Sequence, residues 1–210
     1  MASNNPWYSQ PTVRGYSNPE VASALQKAIR RGQVDKAVFW AIELDRSGYA
    51  QYVWKRLLVI TSEDVGPAER HLPATIWALY QTWREMNSWR NGNHPERLPF
   101  VHAVILLASA QKSRMCDHAA CGGYNTNEAL FEIPDEAYDL HTLKGRRLGR
   151  GLEHWYAEAA KLENPADLGF DPFVEWNAKA DEFKGEPLVR KAGRTVGAVD
   201  ETPPAEQLFD

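Results

Sequence analysis

The stretch Trp54-Lys55-Arg56-Leu57-Leu58-Val59-Ile60-Thr61-Ser62-Glu63-Asp64-Val65-Gly66 decides how this chain is read. Its apolar residues recur with helical rather than alternating spacing: Val53, Leu57, Ile60 and Thr61 share one side, and Trp54 and Leu58 lie beside them. The periodicity predicts a helix over 50–64, ended by Gly66-Pro67. Glu63 and Asp64 then face the negative end of the helix dipole, which costs from a few tenths to about 1 kcal/mol unless a cation or donor compensates. A partner for both acids is expected.

The same period extends in both directions. Asn18-Pro19-Glu20 is a helix start, with an N-cap type, a proline in the first turn and an early acid, and Val21, Ala24, Leu25, Ala28 and Ile29 continue it to Gly32. A second helix is expected over 34–47 with Gly48 just past its end, so the two form a hairpin. Beyond the decisive stretch, Trp77, Tyr80, Trp83 and Met86 recur every three residues along 73–89, which reads as core or interhelix packing before a base-stacking platform. Asn91-Gly92-Asn93-His94-Pro95 is a turn. The segment 99–111 is apolar nearly all round and is expected to be central. A further helix is expected over 113–121, stopped by Gly122-Gly123, then a helical turn at 127–131 and short helices over 139–148 and 152–162 around Gly149-Arg150-Gly151. No alternating run demands a strand. The expectation is an all-α, compact multi-helix bundle: an irregular arm over 1–17, a helical domain over 18–164, and an acidic, partly disordered tail over 165–210 with one helix at 172–183.

At this size roughly 70% of the unfolded chain's surface is buried on folding, so a sizeable core is available. Hydrophobic residues make up 43% and charged residues 25% of the 210, a globular balance. The apolar run 103–108 is too short to span a bilayer, and the N-terminal segment lacks the basic and apolar regions of a signal peptide. A cytoplasmic location is expected, and no membrane partner. The net charge of −4 argues against a generally basic nucleic-acid surface. Residues 165–210 hold ten of the 28 acids and five of the 24 bases, leaving 18 acids and 19 bases before them.

With the helices placed, the order hairpin, then Arg56-Leu57-x(4)-Ser62-Glu63-Asp64-x-Gly66, then a long helix, then a helix running into Ala110-Gln111-Lys112-Ser113 resembles the C-terminal region of the replication-associated recombination protein A (MgsA) family, whose eukaryotic relatives are the Werner-helicase-interacting ATPases. The similarity covers roughly residues 20–160 and extends to the basic segment His141-Thr142-Leu143-Lys144-Gly145-Arg146-Arg147-Leu148-Gly149-Arg150-Gly151. The resemblance implies a collar of the clamp-loader type that follows an AAA+ ATPase domain and assembles four subunits. It also implies work at stalled replication forks, with a full-length AAA+ recombination ATPase, clamp-loader subunits, single-stranded-DNA-binding protein or DNA as partners. These 210 residues contain no G-x-x-x-x-G-K-[ST] loop to cradle phosphates, so no ATP hydrolysis by that mechanism and no cofactor are expected of them. The expected function is a non-catalytic oligomerisation or adaptor module for DNA replication, recombination or repair. One alternative is a direct binder of single-stranded nucleic acid; a second is an enzyme whose site is not recognisable in sequence.

Several constellations carry candidate chemistry. Ser62, Glu63 and Asp64 are either a subunit contact or a local brace to Arg56, Lys112 or Arg114, and Lys112 with Ser113 is the expected complement. Lys144, Arg146, Arg147 and Arg150 suit phosphate contact or a solvated basic face. Cys116, His118 and Cys121 are zinc-ligand types at a poor spacing, and buried thiols at a helix interface are the simpler expectation. His154 and Glu158 lie one helical turn apart, as a general acid/base pair would, though surface pairs with this spacing are usually stabilisers.

Overall fold

The structure is a computed structural model and describes residues 5–89, 92–167 and 169–173. It divides into two compact units, residues 1–130 and 131–210, and the division falls inside the span that periodicity groups as one helical domain. The fold is all-α. No strand occurs among the described residues; one isolated antiparallel bridge joins Pro11 and Ser17.

The first unit holds helices α1 (Pro6–Ser9), α2 (Asn18–Arg30), α3 (Val34–Arg46), α4 (Ala50–Ile60), α5 (Leu72–Ser88), α6 (Arg97–Ser109) and α7 (Met115–Asn125). The α2–α3 hairpin forms as its punctuation requires: Pro19 sits in the first turn of α2, and Gly32 and Gly48 follow their helices at φ +69° and +87°, backbone that a Cβ disfavours. Helix α6 is the hub. It packs against α2, α3, α4 and α5, and buries Phe100, Ala103, Val104, Leu107 and Ala108. Trp54 is wholly buried, with Tyr80, Trp83 and Phe100 at ring-centroid distances of 5.3, 5.8 and 5.8 Å. The stripe on α5 is thus packing: Trp83 joins the core, Tyr80 lies half-buried beside it, and Trp77 remains exposed.

Four local expectations are corrected. Helix α4 ends at Ile60 and continues as a π-helical turn, Thr61–Val65, where the sequence predicts α-helix to residue 64. The wider turn absorbs an extra residue before Gly66, and π-turns of this kind recur at functional positions. The arm is not wholly irregular, since α1 carries Trp7 onto Tyr49 and Tyr52 at 4.9 and 4.2 Å. Helix α7 passes through Gly122 and Gly123 to Asn125, and the thiols of Cys116 and Cys121 are exposed rather than buried. Residues 127–131 form no helix.

The second unit consists of a 3₁₀ turn Asp135–Ala137, helix α8 (Leu143–Arg147) and helix α9 (Leu152–His154), the last running into a π-turn, Trp155–Ala159. Both helices are shorter than periodicity suggests. The helix expected over 172–183 lies almost entirely outside the described residues, as does most of the acidic tail. No helix among the described residues is long and apolar enough to cross a membrane.

Candidate functional site: a braced acidic turn

Asp64 has no exposed surface. It accepts a hydrogen bond from Gln26 Nε2 at 3.1 Å and two from Arg30, through Nε and, at 3.4 Å, through Nη2. The same Arg30 Nη2 donates to Glu63 Oε1 at 3.0 Å, so one guanidinium on α2 clamps both acids of the π-turn. Arg56 reaches the cluster indirectly by donating to Gln26 Oε1, and Arg114 lies 3.9 Å from Glu63 while pairing with Asp117. The hydrogen bond to Asp64 pushes the Arg30 pKa upward, against burial, which pulls it down. A buried carboxylate is tolerated when a cation and extra donors surround it, as here.

The proposed complement behaves differently from expectation. Ser113 does meet the turn, but through its backbone, whose N–H donates to Asp64 O at 2.9 Å. Lys112 forms no ion pair with the acids. Its Nζ donates to Ala108 O at 3.0 Å and to Ala110 O, satisfying carbonyls that the end of α6 leaves without helical partners. Burial lowers the Lys112 pKa, opposed by the attraction of Asp64 and Glu69. The decisive cation, Arg30, is not legible in the sequence, because nothing local ties it to residue 64. Only the packing of α2 beside the turn does so, and the signal in the sequence is two adjacent acids at a helix end, which call for a cation.

Among the remaining signature residues, Leu57 and Gly66 sit in tight packing. Leu57 is fully buried, and its carbonyl accepts from Thr61 Oγ1 at 2.8 Å, while Ser62 is exposed. Gly66 adopts φ +51°, and a Cβ there would lie 3.2 Å from Ser113 O and 3.4 Å from Cys116 Sγ. Glycine is therefore required where the chain turns beneath α7. Beside the turn lies an open groove of about 570 Å³ bordered by Leu58, Val59, Ser62, Glu63, Cys116 and Asp117.

In the second unit the basic segment is split by role. Arg150 donates to Asp135 O at 2.7 Å and Tyr138 O at 3.0 Å and pairs with Asp135, so it is a scaffold residue. Lys144 stands 3.6 Å from the centroid of the Tyr138 ring, a cation–π contact. Arg146 and Arg147 remain exposed. Gly145 is buried, and a Cβ there would fall 1.9 Å from Asp139 O. Cys116, His118 and Cys121 are all exposed, and no group of three or more metal-ligating side chains occurs among the described residues. Glu158 pairs with Lys161 at 2.9 Å rather than with His154.

A family model described as MgsA AAA+ ATPase C terminal matches residues 32–166. The chain belongs to that family. Relatives of the MgsA C-terminal family include the replication-associated recombination protein A of Bacillus subtilis, 29% identical over 144 residues, 68% of this chain and 33% of the relative. The protein of the same name from Haemophilus influenzae is 30% identical over 145 residues, 66% of this chain and 30% of the relative. The ATPase WRNIP1 of Dictyostelium discoideum is 27% identical over 169 residues, 79% of this chain and 19% of the relative. The chain thus spans a third or less of these curated relatives, and the part matched is the C-terminal helical region rather than the catalytic domain. Within the MgsA C-terminal match lie Glu63, Asp64, Gly66, Ser113 and Gly145, whereas Gln26 and Arg30 precede it.

Proposed function

We propose that this chain is a non-catalytic assembly module of DNA replication, recombination or repair, which self-associates and docks onto AAA+ recombination or clamp-loader components. The observation that carries this reading is the restriction of the family match to the helical C-terminal region, residues 32–166. The braced turn supports it, because Arg30, Glu63, Asp64 and Arg114 engage one another where α2, the π-turn and the start of α7 meet. Light-scattering mass, alone and with a full-length AAA+ recombination ATPase, clamp-loader subunits or single-stranded-DNA-binding protein, tests it. A multimer or a stable complex is expected, and a strict monomer that binds none of them overturns the reading.

Direct contact with single-stranded nucleic acid is the second reading, favoured by one observation. Arg146 and Arg147 project from a segment whose other two cations are already engaged. Phosphate contact by this pair predicts salt-dependent binding of a labelled single strand. Binding that survives Arg146→Glu with Arg147→Glu removes the reading.

A further inference from the structure

We infer that residues 200–210 of this chain are an intramolecular ligand for the exposed face of α8, pairing their acids with Arg146 and Arg147 and laying Leu208 and Phe209 against Leu143 and Leu148. The second unit buries only Gly145 among its described residues, and Leu143 and Leu148 are exposed. On α8, Arg146 and Arg147 follow Leu143 by three and four residues, so the three side chains share one face, and Leu148 stands at its end. Neither guanidinium makes an ion pair or hydrogen bond to a described residue. The acids nearest in sequence go elsewhere: Asp135 pairs with Arg150 at 2.6 Å, Asp139 with His141 at 2.9 Å, and Glu158 with Lys161 at 2.9 Å. A face that is both basic and apolar calls for an occupant that is both acidic and apolar.

The chain carries such a segment. Asp200-Glu201-Thr202-Pro203-Pro204-Ala205-Glu206-Gln207-Leu208-Phe209-Asp210 has four acids, no base and an adjacent pair of large apolar residues. It lies outside the described residues and past the family match, which ends at residue 166, so its role is not one that the match assigns. Other stretches of the tail fit less well. Lys179 and Lys184 dilute the acids of 171–186, and Arg190, Lys191 and Arg194 would meet Arg146 and Arg147 with like charge. The 26 residues 174–199 can span up to roughly 90 Å when extended, so length does not limit the contact. Exposed ion pairs hold weakly, but the tether makes the encounter intramolecular, and the leucines add apolar area that charge alone does not use. Once seated, the segment competes with any other polyanion for the same two guanidiniums. The contact itself stands whether or not this pair also meets nucleic acid.

Paramagnetic relaxation enhancement on the full chain tests this. A nitroxide is attached at residue 205 through Ala205→Cys, with the exposed thiols removed by Cys116→Ser and Cys121→Ser. At low salt the label is expected to broaden the amides of 143–148. Arg146→Glu with Arg147→Glu should weaken that broadening several-fold, and adding Asp200→Lys, Glu201→Lys and Glu206→Lys to the same chain should restore it. Retained exchange protection of the Gly145 N–H, which Thr142 Oγ1 accepts, shows that α8 still folds. If the arginine variant loses that protection, the three tail substitutions alone, which leave α8 untouched, decide by the same loss of broadening. No broadening at 143–148, or broadening that survives both sets of substitutions, overturns the contact. Loss that the charge exchange does not restore overturns the ion pairing. Absent broadening, with 143–148 shifting instead on addition of a single-stranded oligonucleotide, overturns the proposal in favour of phosphate as the occupant.

Discussion

At Asp64 the sign of the electrostatics is set by desolvation. A carboxylate with no exposed surface survives because Arg30 and Gln26 donate to it, and removing the cation leaves a buried charge alone. Breaking a buried pair on one side costs on the order of 3 to 5 kcal/mol, and the part-exposed side of Arg30 brings the expectation for Arg30→Ala to the lower end of that range. In urea titrations, Arg30→Ala and Asp64→Asn should show strong coupling in a double-mutant cycle, whereas Lys112→Ala and Asp64→Asn should be close to additive. Equal coupling in the two cycles would contradict the assignment of Lys112 to the carbonyls of α6. A second buried acid, Glu43, ties the N-terminal arm to α3. Burial pushes its pKa up, but hydrogen bonds from Thr12 and Arg14, with the Arg14 charge, outweigh that and hold it below its ordinary value. A folded pKa lower than the unfolded one adds stability that is complete above the unfolded value, about 4.3, and is lost as pH falls through the folded value. Glu43→Gln should therefore lower the urea midpoint at neutral pH and flatten its decline below about pH 5; a decline as steep as wild type would show that Glu43 does not carry it.

Helix α7 shows how local punctuation and tertiary context trade places. Glycines at 122 and 123 predict a stop, yet the helix continues, and it buries none of its residues. Neither glycine has positive φ, and a Cβ at either would meet nothing within 4 Å. Gly122→Ala with Gly123→Ala should therefore stabilise the C-terminal half of α7 by about 0.5 to 1 kcal/mol per site. Slower amide exchange across 118–125 would register the gain, and unchanged exchange would mean that the glycines are not what limits this helix. The same comparison explains what the sequence made legible. Helices α2, α3 and α6 follow from apolar period and from Pro19, Gly32 and Gly48, because those signals act within a few residues. The π-turn at Thr61–Val65 is not legible in the sequence, since the contacts that hold it, Asp64 with Arg30 of α2 and Asp64 O with Ser113 N–H, join residues 34 and 49 apart in the chain. Two acids at a helix end call for a cation from the sequence alone; that the cation is Arg30 follows from packing.

Across the whole molecule the two units are held by different physics. The first has an apolar core in which Trp54, Leu57, Ile60, Val104 and Leu107 have no exposed surface. The second buries only Gly145 among its described residues, while Leu143, Leu148 and Leu152 stay 59%, 55% and 42% exposed. Its order comes from polar closure. Thr142 Oγ1 accepts from Gly145 N at 3.0 Å, Arg150 satisfies two carbonyls, and the absence of a side chain at 145 lets the backbone pass Asp139. Hydrogen bonds of this kind contribute only about 0.5 to 1.5 kcal/mol net each, far less than a buried core, so the units should open at different free energies. Amide exchange is expected to show α4 and α6 exchanging only through global unfolding and 143–150 exchanging orders of magnitude faster. Gly145→Ala should erase the remaining protection of 143–150, since its Cβ would overlap Asp139 O, while leaving the rates in α4 and α6 unchanged. Loss of protection in α4 and α6 as well would show that the polar closure of the second unit supports the apolar core of the first.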